Sequence, residues 1–111
     1  MFKHFRGDEP PLFAHPTELE LAELLDASGI PWAYEPHTFA LEHDANGNVV
    51  EAFTPDFYLP DAGMYVECTT TKPSLMYRKR RKVWKARKLH DLIVTLHERH
   101  DFERFRRRYG R

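Results

Sequence analysis

Residues 53–72 read FTPDFYLPDAGMYVECTTTK, and the way this stretch pairs with itself decides the fold. Pro60, Asp61, Ala62 and Gly63 supply turn chemistry between two alternating runs, so Leu59 is expected to pair with Met64 in an antiparallel hairpin. The same register sets Asp56 opposite Glu67. Facing side chains on such a pair lie about 5 Å apart at Cβ, where like charges repel. Successive side chains point to opposite faces of a strand, so Phe57, Leu59, Met64, Val66 and Cys68 share an apolar core face. Thr54, Asp56, Tyr58, Tyr65, Glu67, Thr69 and Thr71 share the other. Two acids alone fit a solvated hairpin face as well as a site that binds a hard divalent cation through carboxylate oxygens.

The 111 residues suit one domain with a single core, and 41% hydrophobic with 14% aromatic residues favours a folded chain over a disordered one. The lone cysteine, Cys68, leaves no intrachain disulfide and suits a reducing compartment. No apolar run approaches the roughly 20 residues of a membrane span, and the opening MFKHFRGDEP lacks a signal-peptide core. The expected location is cytoplasmic, with no membrane partner.

A net charge of zero conceals a strong asymmetry. Residues 1–71 carry 2 basic and 13 acidic side chains, a net of −11, and residues 72–111 carry 15 basic and 4 acidic, a net of +11, which together make the 17 and 17 of the whole chain. Either the two parts neutralise each other within one fold, or the C-terminal part faces a polyanion while the N-terminal part keeps acids for a metal. Nucleic acid is the favoured partner.

Around the hairpin, residues 1–16 form an aromatic, Pro-rich arm expected to pack on a single domain of residues 17–111. Thr17 as N-cap and Glu20 three residues later predict a capping box, with the helix running to about Ser28 and stopping at Gly29. Trp32 to Leu41 reads as a strand, DANGN (44–48) as a turn and Val49 to Phe53 as the returning strand. Pro73 and Ser74 open a basic helix reaching about His90. LIVTL (92–96) reads as a buried strand, and Asp101 starts a last helix. The expected fold is a mixed α/β sheet flanked by helices, in the order α-β-β-β-α-β-α.

Two helices supply further candidates. Leu21, Ala22, Leu24 and Leu25 define the buried stripe of the first helix, and Glu18 projects into that sector while Glu20 projects away from it. A carboxylate at the edge of an apolar face is costly unless a cation or donor meets it, although a first-turn acid also favours the helix dipole. In the basic helix, Met76, Val83, Ala86 and His90 make the inner stripe. Lys79 falls within it, Lys82 lies at its margin, and Arg78, Arg81, Lys85 and Lys88 point outward, where they can neutralise phosphates. Trp84 is expected to cover the core. The histidines, among them the pairs His37/His43 and His97/His100, lack the third spaced ligand or cysteine of a zinc site.

These residues resemble the PD-(D/E)xK nuclease superfamily, with Pro55-Asp56 as the first half-motif and Glu67 as the acid of the second. The wording TPDFYLP followed by YVE is similar to small phage-type Holliday junction endonucleases and to the restriction-like subunit of heteromeric transposases. The resemblance covers roughly residues 17–94 and implies a restriction-endonuclease-like fold. It also implies a Mg²⁺-dependent endonuclease acting on DNA, with Mn²⁺ able to substitute, and a homodimer where both strands are cut. By the same resemblance Glu18, Asp56, Glu67 and the backbone carbonyl of Cys68 would hold the metal. The family lysine normally lies two residues after the acid, where this chain has Thr69, so Lys72 or, alternatively, Lys79 would take its role. Nucleic acid would be gripped by Arg78, Arg81, Lys82, Lys85 and Lys88, together with Arg104, Arg107 and Arg108. The alternatives are a catalytically weak or inactive nucleic-acid-binding or transposition subunit, or an RNA nuclease.

Overall fold

The chain is described here by a computed structural model covering residues 2–69, 73–98 and 101–109. The central hairpin forms in the expected register. Strand β4 (Phe57–Leu59) pairs antiparallel with β5 (Met64–Cys68) through Phe57↔Val66, Tyr58↔Tyr65 and Leu59↔Met64. Ala62 and Gly63 both donate their amides to the Leu59 carbonyl, and Gly63 sits at φ +62°, where a Cβ would be strained. On the N-terminal side, β1 (Ala33–Tyr34) pairs antiparallel with β4. On the far side, helix α2 (Pro73–His90) carries the chain back so that β6 (Val94–His97) runs parallel to β5. The result is a mixed four-stranded sheet in the order β1-β4-β5-β6, with a separate antiparallel hairpin of β2 (Phe39–His43) and β3 (Val49–Phe53).

The two faces of the sheet bury different sets. Helix α1 (Pro16–Ala27) and helix α3 (Phe102–Tyr109) cover one face, where Leu21, Ala22, Leu25 and Phe102 pack with Phe57, Leu59, Met64, Val66 and Cys68. Trp32 is fully buried there, ringed by Phe2, Phe5, Phe13 and Phe57. Three of those rings come from the N-terminal arm, which is also held by a parallel bridge from Phe5 to Trp32 and by the amides of Lys3 and His4 donating to the Asp26 carboxylate. Helix α2 and the β2–β3 hairpin cover the opposite face, where Val83 and Ala86 meet Leu41, Phe53, Tyr65 and Val94. Among the described residues no helix is long and apolar enough to cross a membrane.

Four sequence expectations are corrected. Helix α1 starts at Pro16 with His15 as an extended N-cap that makes no side-chain capping bond, so the Thr17–Glu20 box does not form. Proline presets the first helical φ and pushes the residue before it out of the helical region, which outweighs a threonine one step later. The single strand over residues 32–41 is two, because Glu35 turns left-handed at φ +46° and Pro36 has no amide to give. With β3 and the two strands of the central hairpin this makes five strands between α1 and α2, against three in the expected order. The buried strand at 92–96 shifts to 94–97 and lies at the sheet edge, following Asp91 at φ +54°, and Ile93 is left exposed. Trp84 is exposed rather than part of the core.

Candidate functional site

Asp56 directly precedes β4, and Glu67 is the fourth residue of β5. Continuing the ladder by one pair beyond Phe57↔Val66 sets the two acids face to face. Both are buried, on the sheet face toward α2. Each carboxylate is tied to the opposite chain: the Asp56 amide donates to Glu67 Oε1 at 2.9 Å, and the Cys68 amide donates to Asp56 Oδ2 at 2.9 Å. These reciprocal bonds fix the two acids face to face, where two ionised carboxylates would repel each other.

Two further elements bear on the pair, one by contact and one by charge. From α2, the Lys79 ammonium donates to the Cys68 carbonyl and stands 3.5 Å from Glu67 Oε2. From α1, Glu18 is buried and accepts a hydrogen bond from the Tyr34 hydroxyl, which in turn receives the Ala14 amide at 3.4 Å. Glu18 thus has a hydrogen-bond donor to meet its buried carboxylate, besides its place in the first turn of α1. Burial, then the Glu67 and Glu18 charges, push the Asp56 carboxyl up to about 8. Burial also raises Glu67, against the pull of Lys79. The Cys68 thiol is held high by burial and then by the charges of Asp56, Glu18 and Glu67. Three buried carboxyl groups thus face one ammonium, an environment short of positive charge near neutral pH.

The donors present are carboxylate and carbonyl oxygens, the set that hard divalent cations such as Mg²⁺ and Mn²⁺ prefer. Among the described residues, however, no group of three or more His, Cys, Asp or Glu side chains is already arranged around a metal position. The ammonium of Lys79 holds the Cys68 carbonyl and the free side of Glu67. The oxygens suit a cation, and in this arrangement the lysine supplies it.

Of the two candidate lysines, Lys79 reaches the acids and Lys72 lies outside the described residues. Thr69 is buried, and both its amide and its hydroxyl donate to the His97 carbonyl, at 3.0 and 3.4 Å, so it closes the β5–β6 ladder. The basic residues divide into two groups. Arg81 and Lys85 each stand 2.8 Å from Glu51, Lys85 also lies 3.7 Å from Glu42, and Lys82 donates to the Ala52 carbonyl at 3.1 Å. These three fasten α2 to the β2–β3 hairpin, and Lys85 with Arg81 holds the Glu51 carboxyl below its usual range. Part of the charge asymmetry is thus neutralised within the fold. Arg78, Lys88, Arg104, Arg107 and Arg108 are exposed on α2 and α3.

Tyr34 is the site residue that sequence reasoning missed. A tyrosine beside Trp32 reads as core, and its bond to Glu18 depends on how α1 crosses the sheet. Comparison of the chain with family models, with curated proteins and with solved structures gives no match in any of the three.

Proposed function

We propose that this chain is a divalent-cation-dependent endonuclease with a restriction-endonuclease-like fold, hydrolysing phosphodiester bonds in DNA. The observation that carries the reading is the buried pair Asp56 and Glu67, locked by reciprocal amide bonds, with Lys79 beside Glu67 and the charge of the buried Glu18 acting on Asp56. Holding three carboxyl groups in one buried region costs stability, and a cation site is the function that uses them together. Asp56, Glu67 and Glu18, with the Cys68 carbonyl, would hold Mg²⁺ or Mn²⁺. When bound, such an ion polarises the scissile phosphate and lowers the pKa of a water molecule.

The chain's own groups have separate tasks in this reading. Reciprocal amide bonds orient the two facing carboxylates, and Tyr34 fixes the rotamer of Glu18. Lys79 neutralises the carboxylates in the absence of a divalent ion. Once released from the Cys68 carbonyl, its ammonium is placed to steady negative charge developing on a phosphate. Exposed arginines on α3 and the outer side of α2 supply non-specific backbone contacts. Cutting both strands of a duplex would call for two copies of the chain.

The test is cleavage of linear, branched and single-stranded DNA, and of RNA of one sequence, with Mg²⁺ or with chelator. Wild type should cleave only with the ion, Asp56→Ala and Glu67→Ala should be inactive, and Lys79→Ala should lose far more activity than Lys72→Ala. Cleavage that survives Asp56→Ala would refute the assignment. A second reading has its own observation, since Lys79 already satisfies the carbonyl and the acid. In that case the chain is an inactive nucleic-acid-binding or transposition subunit with the lysine as permanent counter-ion. It would bind nucleic acid equally well with chelator and cleave none.

A further inference from the structure

Helix α2 carries an exposed aromatic ridge on the side away from the acid pair. Tyr77 is 71% exposed and Trp84 55% exposed, two aromatic rings left open to solvent on one helix. They are seven residues apart, about two helical turns, so both rings stand on one face. Cations are interleaved with them. Lys88 holds its ammonium 4.5 Å from the Trp84 ring centroid, and Arg80 lies exposed between the two rings. Arg78 is exposed on the flank. Arg81 and Lys85 are taken up by Glu51, whereas no ion pair among the described residues involves Arg78, Arg80 or Lys88.

We infer that this ridge binds an unpaired nucleic-acid strand, with bases stacked on Tyr77 and Trp84 and phosphates met by Arg80 and Lys88. The inference rests on the reading of the chain as acting on nucleic acid and adds the form of the strand. The two rings are separated by roughly 10 Å along the helix axis, with Arg80 between them in sequence. A duplex hides the faces of its bases and offers the ridge only phosphate. An unpaired strand offers both a π-face and a charge at every nucleotide, the two chemistries that alternate along the ridge as ring and cation. An acidic peptide would meet the cations but leave the rings without planar partners.

The measurement is tryptophan fluorescence of the full chain, in chelator so that nothing is cleaved, titrated with an oligothymidylate, a duplex and an inorganic polyphosphate. Trp32 is fully buried, so a change on binding reports Trp84. Oligothymidylate should quench the emission saturably, and duplex and polyphosphate should not. For the variants, which lack that reporter, affinity is read from the anisotropy of a dye-labelled oligothymidylate: Trp84→Ala should weaken binding about 5- to 100-fold, the range expected for one stacked base, and Trp84→Phe should restore most of it. Folding of either variant can be checked by the Trp32 emission. Equal affinity in wild type and Trp84→Ala would overturn the inference, as would quenching by polyphosphate as strong as by oligothymidylate. The nuclease reading fails separately: cleavage that survives Asp56→Ala removes it while leaving the quenching result intact. Metal-dependent cleavage with no effect of Trp84→Ala on binding removes only the ridge.

Discussion

Replacing Asp56 by Asn should stabilise the metal-free protein, and by an amount that depends on pH. The folded chain holds the Asp56 carboxyl near 8, against 3.8 for an unperturbed aspartate. Between those values the folded state binds the proton and the unfolded state does not, so wild-type stability falls as pH rises through that window. At pH 7 the difference of about 3 units corresponds to about 4 kcal/mol at 1.36 kcal/mol per unit, and water entry with relaxation of Lys79 should reduce it to about 2 kcal/mol. Asparagine keeps an oxygen to accept the Cys68 amide and does not titrate. The assay is urea unfolding of both proteins in chelator at about pH 5 and about pH 8, with the same slope expected for each. The advantage of Asp56→Asn should be smaller at the lower pH, where only about one unit of the window has been crossed, and largest at the higher. A pH-independent difference, or an Asn variant that loses ground as pH rises, would refute the claim that the acid pair is confined and short of positive charge.

Three other perturbations test neighbouring parts of the account. Lys79→Met removes the ammonium beside Glu67 and should destabilise the chelated protein by about 1–3 kcal/mol, more at high pH than at low, measured by the same unfolding series. Tyr34→Phe deletes the donor to Glu18 and should cost about 1–2 kcal/mol in thermal or urea unfolding, while lowering divalent-ion affinity about tenfold in calorimetry. Gly63→Ala puts a Cβ at φ +62° in the β4–β5 turn, where no neighbour lies within 4 Å; it should cost about 1–2 kcal/mol by urea unfolding from backbone strain alone.

The hairpin was legible because its information is local. Alternation and a four-residue turn ending in Gly63 fix the register, and the register alone sets Asp56 against Glu67. Helix α2 was legible down to its inward lysine for the same reason, since helical spacing places Lys79 with Val83 and Ala86. What failed depended on competition between neighbours or on long-range packing. Pro16 outcompeted Thr17 as the start of α1, and Glu35 with Pro36 broke a run whose hydrophobic pattern alone read as one strand. The union of Arg81 and Lys85 with Glu51 joins residues 30 and 34 positions apart, and no local pattern announces it. Trp84 was misread because a tryptophan beside a buried stripe ordinarily joins it. Here Val83 and Ala86 fill that stripe and leave the ring outside.

The most direct test of the central claim is calorimetric titration of the chain with Mg²⁺ and Mn²⁺ near neutral pH, for wild type and Asp56→Asn. The account predicts weak, saturable binding to wild type that Asp56→Asn and Glu67→Gln abolish while both variants remain folded. Absence of binding to wild type, or binding that survives loss of either carboxylate, would contradict it.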